Sequence, residues 1–277
     1  MKITKVTAVY FSPAGSTQKV VCHIASTIAN ALDVPVEDVD FTLPAGRQQS
    51  RHFGPEDLVV FGTPTYAGRI PNKALPFVQN LFSAEGTPAI AAVTWGNRSF
   101  DSSLTELVQE LDGHGFLPFA AGAFVCRHVF SDALAGGRPN EEDLAFIADF
   151  AGKAAEKVLS ASEAADLSAP VQITGRPEVL PYYRPLEADG SPANFLKAKP
   201  VTDMEKCTKC GICAAVCPLG SVDPDDFSKT PGICIKCHAC IRKCPENARY
   251  FDDPSLISHR KMIVTHYAER KESAVFI

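Results

Sequence analysis

Eight of the ten cysteines in this chain of 277 residues lie in two copies of one short pattern. The first copy is Cys207, Cys210, Cys213 and Cys217 followed by Pro218, and the second is Cys234, Cys237, Cys240 and Cys244 followed by Pro245. Three cysteines that are two residues apart fit on one tight turn, where their thiolates converge on three corners of an iron-sulfur cube. The fourth corner must then come from elsewhere in the chain.

The spacing C-x2-C-x2-C-x3-C-P is typical of bacterial two-cluster ferredoxins, and residues 201–250 resemble that class. There, the last cysteine of each run binds the cluster of the other run. The resemblance therefore implies two 4Fe-4S clusters, one bound by Cys207, Cys210, Cys213 and Cys244 and the other by Cys234, Cys237, Cys240 and Cys217. The prolines after each run direct the chain away from the crossing ligand, because proline fixes φ.

Two other uses of cysteine compete with this interpretation. Disulfide frameworks belong to small secreted chains, and no secretory signal is recognisable here, since Lys2 and Lys5 precede only a short apolar run. Zinc sites favour separated C-x2-C pairs, often with histidine, whereas each run here contains four cysteines. The spacing therefore favours clusters, and zinc is the main alternative to them. His238 lies inside the second run, and we interpret it as a neighbour of the site or a solvent residue rather than a ligand.

Length and charge limit the class of protein further. The length suggests two domains at the usual size of about 100 to 200 residues each, and no apolar stretch approaches the roughly 18 residues of a membrane helix. Residues 1–200 contain 16 basic and 22 acidic side chains, whereas residues 201–277 contain 11 and 10. The acidic excess argues against a nucleic-acid partner and suits either a basic partner protein or an ordinary solubilising surface. We expect a soluble, cytoplasmic protein without membrane insertion.

The first 160 residues alternate short β-branched runs with longer helical patterns, which is typical of a parallel sheet wrapped by helices. Candidate strands cover residues 3–10, 36–40, 58–62, 89–95 and 119–126. Apolar residues at helical spacing predict helices around residues 20–32 and 104–111, and Asn140 is a candidate cap for a third. The pattern predicts a doubly wound α/β sheet, which binds ligands beyond the carboxyl ends of its strands.

The loop after the first strand leads directly into a helix, where free backbone amides form an anion site. It contains neither a Walker motif nor a Rossmann glycine motif, and it has no lysine. Amides and hydroxyls alone suit a phosphate monoester such as that of FMN. The loop resembles the phosphate loop of flavodoxins, which Ser12, Gly15 and Thr17 match, whereas Ala14 replaces a hydroxyl residue. The resemblance implies phosphate contacts from Ser12, Ala14, Gly15, Ser16 and Thr17.

The loops after the third and fourth strands are similar to those that hold the isoalloxazine ring in flavodoxins. A flavin ring needs an apolar slot with aromatic walls and backbone groups at its polar edge. Tyr66, Trp95 and Phe100 are the candidate walls, and Arg98 is a candidate cation beside the ring, or else a partner of Asp101. The residues expected at the ring are Pro64, Thr65, Tyr66, Ala67, Gly68, Thr94, Trp95, Gly96, Asn97, Arg98 and Phe100.

As a whole, the chain resembles fusions of a flavodoxin domain with a two-cluster ferredoxin domain. We expect a flavodoxin-like domain of five parallel strands at 1–165, a proline-rich linker at 166–200, a small α+β ferredoxin domain at 201–250, and a tail at 251–277, whose section 256–267 favours a helix. The resemblance implies FMN, two 4Fe-4S clusters and the cytoplasm of an anaerobe or microaerobe.

The function predicted from this resemblance is electron transfer between FMN and the clusters, in exchange with redox partner proteins. One alternative is an FMN-dependent reductase that acts on a quinone or NAD(P)H. Another is a first domain that has lost its flavin and serves as a docking surface, which Ala14 favours.

Overall fold

The computed structural model describes residues 1–277. Its strands are β1 (Lys5–Tyr10), β2 (Val36–Asp40), β3 (Arg51–Phe53), β4 (Asp57–Pro64), β5 (Phe82–Ala84), β6 (Thr87–Trp95), β7 (Phe116–Val125), β8 (Val201–Thr202), β9 (Arg249–Tyr250) and β10 (Ala274–Phe276). Its α-helices are α1 (Ser16–Leu32), α2 (Leu75–Leu81), α3 (Ser103–Gly113), α4 (Glu141–Ser160), α5 (Ile212–Ala215), α6 (Ala239–Arg242) and α7 (Pro254–Tyr267). No helix is long and apolar enough to cross a membrane.

The central sheet contains six strands in the order β10-β7-β6-β4-β1-β2. Its five parallel strands are the five that the sequence predicts, and taken in chain order they are arranged 2-1-3-4-5, the order of flavodoxin-like doubly wound sheets. The predicted fold class is therefore confirmed. The sixth strand, β10, pairs antiparallel with the edge strand β7 and comes from the far end of the chain.

Helices cover both faces of this sheet because each face is apolar. Helices α1 and α4 pack together on one face, where Ile24, Ile28, Ile147 and Phe150 belong to the same buried cluster. Helix α3 packs on the other face against β6 and β7. Asn140 caps α4 as predicted, since its side chain accepts a hydrogen bond from the amide of Asp143 at 3.0 Å and the carboxylate of Asp143 accepts one from the amide of Asn140.

The cysteine-rich region, residues 201–250, has little regular structure. Strands β8 and β9 form a small antiparallel pair, and each cysteine run contains one short helix, α5 or α6. The tail then forms the predicted helix α7 and returns to the first domain as β10. The amide of Val125 donates to the hydroxyl of Ser273 at 3.0 Å, which fixes this return.

The segment predicted as a linker, residues 166–200, lies against the first domain along part of its length. The side chain of Ile173 is buried in the core beside α3. The amide of Val171 donates to the carbonyl of Pro118 at 2.9 Å, and the amide of Tyr183 donates to the carbonyl of Ala67 at 2.8 Å. This proline-rich segment therefore covers the loops at the carboxyl edge of the sheet.

Candidate functional site

A cavity of about 220 Å³ lies beyond the carboxyl ends of β1, β4 and β6. This is the edge at which doubly wound sheets bind their ligands. Eleven of the sixteen residues predicted for FMN line it: Ala14, Ser16, Thr17, Pro64, Thr65, Tyr66, Ala67, Thr94, Trp95, Gly96 and Arg98. We refer to it as the large cavity.

The loop before α1 presents free amides to this cavity. Gly15 is the N-cap residue of α1 with φ 90°, a conformation that favours glycine, and no side chain caps the helix. The amides of Ser16 and Thr17 have no acceptor in the protein. The first turn of a helix attracts anions through such amides, so the local structure fits a phosphate group.

Five predicted residues are adjacent to the large cavity without lining it. Gly15 shapes the helix start, and the hydroxyl of Ser12 accepts a hydrogen bond from the amide of Gln18 at 2.9 Å. Gly68 packs against Asp101, where a Cβ atom would lie 2.3 Å from a carboxylate oxygen. These contacts hold the loops in place, and a contact of these residues with FMN stays a prediction.

Asn97 and Phe100 also support the wall from behind. The amide nitrogen Nδ2 of Asn97 donates to the carbonyls of Tyr267 at 2.6 Å and Glu269 at 2.8 Å, which ties the loop after β6 to the end of α7. The ring of Phe100 packs 5.8 Å from that of Trp95. The three predicted loops all border the large cavity, but the sequence pattern did not separate the residues that line it from those that support the lining.

Thirteen further residues of the wall were missed by sequence reasoning. They come from the first loop (Pro13), the segment after β7 (Cys126, Arg127, His128, Val129 and Phe130), the proline-rich segment (Tyr183, Pro185 and Phe195), the second cysteine run (Ile235 and Lys236) and α7 (His259 and Ile263). The signal available in the sequence was the set of aromatic residues among the prolines of 166–200.

The large cavity is basic although the whole chain has a net charge of -5. Arg98, Arg127 and Lys236 line it, and no carboxylate does. Arg98 also pairs with Asp101 outside the lining, and its guanidinium group lies 3.9 Å from the centroid of the Tyr183 ring. Arg98 therefore has the predicted pair with Asp101 and also lines the cavity, whereas its place beside a flavin ring stays a prediction. This charge pattern fits an anionic ligand.

Two polar groups in this wall are buried without a protein partner, namely the indole nitrogen of Trp95 and the hydroxyl of Tyr183. Nδ1 of His128 accepts a hydrogen bond from the amide of Phe130 at 3.1 Å. Burial, followed by the nearby charges of His259, Arg242 and Arg98, lowers the pKa of His128 to about 3, so the ring is neutral.

The eight cysteines surround two separate, smaller cavities. One, of about 20 Å³, is lined by Cys207, Cys210, Cys213 and Cys244, and we call these cysteines the outer quartet. The other, also of about 20 Å³, is lined by Cys217, Cys234, Cys237 and Cys240, which we call the inner quartet. The structure thus brings together three cysteines of one run with the last cysteine of the other.

The two quartets differ from the geometry of a zinc site. A zinc ion needs four ligands within about 2.0 to 2.3 Å of one point. In this protein no three residues among His, Cys, Asp and Glu converge closely enough to hold a single ion. Each quartet instead lines a cavity, an arrangement that fits a cluster with one iron at each corner.

Comparison with known proteins supports this distinction. The sequence profile of the 4Fe-4S binding domain, Fer4, matches residues 200–223. Pyruvate synthase subunit PorD of Methanocaldococcus jannaschii is 35% identical over 68 residues, which cover 21% of this chain and 79% of that protein. The C-terminal part of this chain belongs to the 4Fe-4S ferredoxin family.

A second relative of the ferredoxin region is the delta subunit of the NADH-dependent phenylglyoxylate dehydrogenase of Aromatoleum evansii, with 35% identity over 60 residues. The match covers 20% of this chain and 61% of that subunit, which is less than two thirds of its length.

Solved structures resemble the first domain more weakly. They include an archaeal flavodoxin, with 15% identity and a TM-score of 0.40 over 56% of this chain and 99% of the other, and flavodoxin 2 of Bacillus cereus, with 16% identity, the same TM-score and the same coverage. The flavodoxin-like description of the first domain therefore depends on its strand order. The predicted joining of a flavodoxin-like fold to a ferredoxin region is confirmed.

Arg249 lies inside the ferredoxin region, with 2% of its surface exposed and no carboxylate partner. Its guanidinium group donates to Thr202, Phe227 and Thr230 at 2.6 to 3.0 Å, while its Nε has no partner. Burial raises the pKa of both Cys213 and Cys240, and the charge of Arg249 opposes this shift in each. A buried, unpaired cation between the quartets fits sites that carry negative charge.

Two arginines fasten the ferredoxin region to the first domain. Arg242, just before the last cysteine of the second run, donates to the carbonyls of His128 at 3.0 Å and Val129 at 3.1 Å. Arg47, which follows β2, donates to the carbonyl of Pro218. Each contact joins a cysteine run to a loop at the carboxyl edge of the sheet, so the cysteine quartets and the large cavity are held together.

Proposed function

We propose that this protein is an electron-transfer iron-sulfur flavoprotein that holds FMN in the large cavity and a 4Fe-4S cluster in each cysteine quartet. The observation that carries the proposal is a shared wall. Ile235, within the second cysteine run, lines both the large cavity and the cavity of the inner quartet. A flavin site and a cluster site that share one side chain as a boundary suit electron exchange inside one chain.

The residues of the large cavity have distinct roles in this proposal. The amides of Ser16 and Thr17, at the positive end of α1, bind the phosphate. Tyr66 and Trp95 pack against the ring, and Arg98 and Lys236 favour negative charge near it. When bound, FMN supplies a group that exchanges one or two electrons, which couples two-electron chemistry to one-electron carriers.

The inner and outer quartets hold one 4Fe-4S cluster each, with the fourth ligand exchanged between the runs as in two-cluster ferredoxins. Backbone amides already point at the ligand sulfurs. The amide of Ser221 donates to Sγ of Cys217 at 3.2 Å, and that of Ala248 donates to Sγ of Cys244 at 3.3 Å. Hydrogen bonds to sulfur raise the potential of a cluster. The exposed Cys210 suits a cytoplasm with little oxygen.

We favour a carrier over a reductase because access to the large cavity is restricted. Of the residues that line it, Ala67 alone is exposed, while the proline-rich segment and α7 cover the remainder. Both relatives of the ferredoxin region are, by their names, subunits of larger oxidoreductases, which suits exchange with partner proteins.

The test begins with anaerobic purification and counting of flavin and iron per chain. The protein is then mixed anaerobically with NADH, NADPH and quinones, one at a time. We expect FMN and iron to be present and turnover with each small molecule to be slow. Rapid multiple turnover without a partner protein would favour the reductase. A flavin content near zero after reconstitution would favour the alternative in which the first domain has lost its flavin and serves as a docking surface.

A further inference from the structure

The two cysteine quartets differ in their surroundings, and the inner one faces the large cavity. Besides sharing Ile235, the two cavities are linked through aromatic rings. Phe130 lines the large cavity, and its ring lies 4.8 Å from that of His238, which lines the inner quartet's cavity.

The outer quartet has no such contact with the large cavity. Its own cavity is lined only by residues between 202 and 249, and none of them lines the large cavity. Cys213 of the outer quartet packs with Cys240 of the inner quartet and with Val222 in one buried cluster. The inner quartet therefore lies between the large cavity and the outer quartet.

The cavity of the outer quartet has more exposed lining residues than either of the other two cavities. Ala67 is the one exposed residue around the large cavity, and Ile233 is the one exposed residue around the inner quartet. Around the outer quartet four lining residues are exposed: Thr208, Cys210, Ile212 and Glu246. We call these four residues the outer rim.

We propose that the outer rim is the surface on which an external one-electron redox protein docks, and that neither the mouth of the large cavity nor the inner quartet serves this purpose. This inference rests on the proposed function and adds the site of contact with the partner. In each encounter the partner gives or takes one electron, the outer site undergoes the opposite change, and no bond forms or breaks. Cys210 brings a ligand atom to the surface, which shortens the path that this electron must cross.

The experiment uses matched lysine substitutions on the complete, cofactor-loaded protein. Ile212→Lys and Glu246→Lys change the outer rim, and Ile233→Lys is the control at the inner quartet. Ile212 and Ile233 are both exposed, at 36% and 58%. Leu180→Lys, at a position of the proline-rich segment that is 58% exposed and does not line the large cavity, tests the surface beside the mouth of that cavity. The protein is reduced with dithionite, freed of excess reductant and mixed anaerobically with oxidised cytochrome c, a basic one-electron protein. The second-order rate constant is measured by stopped flow.

We expect Ile212→Lys and Glu246→Lys each to slow the reaction at least about five-fold at low salt, because like charge on a docking surface lowers the association rate. Ile233→Lys and Leu180→Lys should stay within about two-fold of the unmodified protein, and the differences should shrink in high salt. Iron and flavin content should not change. The reduction potentials of every variant are measured as well, because a lysine beside a cluster shifts its potential and so changes the driving force of the reaction.

The inference fails if Leu180→Lys or Ile233→Lys gives the largest effect, or if all four variants react alike. Loss of the proposed function is recognised separately, because a preparation without flavin or without iron fails before any rate is measured. Where Ile212→Lys lowers the iron content, Glu246→Lys alone decides the outcome at the outer rim.

Discussion

The ring of Phe130 lies 4.8 Å from the ring of His238, with an angle of 35° between their planes. Phe130 belongs to the loop after β7 and lines the large cavity, whereas His238 lies between Cys237 and Cys240 of the inner quartet in the chain. His238 also packs 5.0 Å from Phe251 on its other side. These rings form a continuous contact between the flavodoxin-like domain and the ferredoxin region. The wall of the large cavity therefore packs directly against the wall of the inner quartet's cavity.

The contact predicts that Phe130→Ala weakens FMN binding although Phe130 lies outside the three predicted flavin loops. Aromatic pairs contribute about 0.5 to 1.5 kcal/mol beyond area burial, so we expect the dissociation constant of FMN from the flavin-stripped protein to rise about two- to ten-fold. The control is Phe146→Ala on α4, which removes a half-exposed ring far from the cavity. Equal affinities in the two variants would show that Phe130 does not shape the flavin site.

Arg249 predicts a common effect on both clusters. Replacing a buried cation with Arg249→Met removes charge that stabilises the reduced, more negative state, so both reduction potentials should fall. We expect each to fall by about 60 mV, a ten-fold change for a one-electron couple. Arg249→Lys retains the charge, so the reduction potentials of its clusters should fall less. Arg184→Met, at an exposed position, is the control. Redox titration followed by EPR separates the clusters, and unchanged potentials in Arg249→Met would contradict this role.

The alanine at position 14 predicts that a substitution there strengthens FMN binding. It lines the large cavity at the start of α1, in the loop where flavodoxins carry a hydroxyl residue. Ala14→Thr adds a donor toward the expected phosphate, and hydrogen bonds to charged groups contribute about 1.5 to 3 kcal/mol. We expect FMN to bind at least about ten-fold more tightly to the stripped protein, as measured by fluorescence titration. Ser16→Ala in the same loop should weaken binding, and a gain in that variant would exclude a phosphate at this position.

His128 predicts a pH dependence of stability. Its pKa is lowered to about 3 by burial and then by His259, Arg242 and Arg98, while the unfolded side chain titrates near 6.5. The unfolded state therefore binds more protons in this window, and stability is lost as pH falls below about 6.5. The free energy of unfolding should fall with acidification by at most about 1.4 kcal/mol per pH unit from this group.

His128→Asn keeps an acceptor for the amide of Phe130 and removes the titration. Its unfolding free energy, followed by circular dichroism in urea under anaerobic conditions, should fall less between pH 7.5 and 5.5 than that of the unmodified protein. Other histidines titrate in both proteins and cancel from the difference. Identical slopes would show that His128 does not titrate in this range.

The parts of the protein that the sequence predicted well depend on local patterns. The five parallel strands, α1, α4 with its cap at Asn140, and the helix in the tail follow from periodicity and from residues that are neighbours in the chain. Likewise, the loops after β1, β4 and β6 meet at one edge because parallel strands align their carboxyl ends.

The remaining wall of the large cavity could not be predicted in this way. Tyr183, Lys236 and His259 come from segments separated by more than 20 residues of irregular or helical chain, and tertiary packing alone brings them together. Nor does alternation along the sequence indicate that β10 returns to pair with β7, because the short strand Ala274–Phe276 is stabilised by the edge it joins. The residue-by-residue assignment of FMN contacts and cluster ligands stays a prediction.

The central claim, that one chain couples FMN to two clusters, is tested most directly by an anaerobic reductive titration that counts electrons per chain. Flavin accepts two electrons and each 4Fe-4S cluster one, so the account predicts about four electrons per chain. Bleaching of flavin and cluster absorbance should account for all of them. An uptake of about two electrons, with only one kind of cofactor responding, would contradict the account.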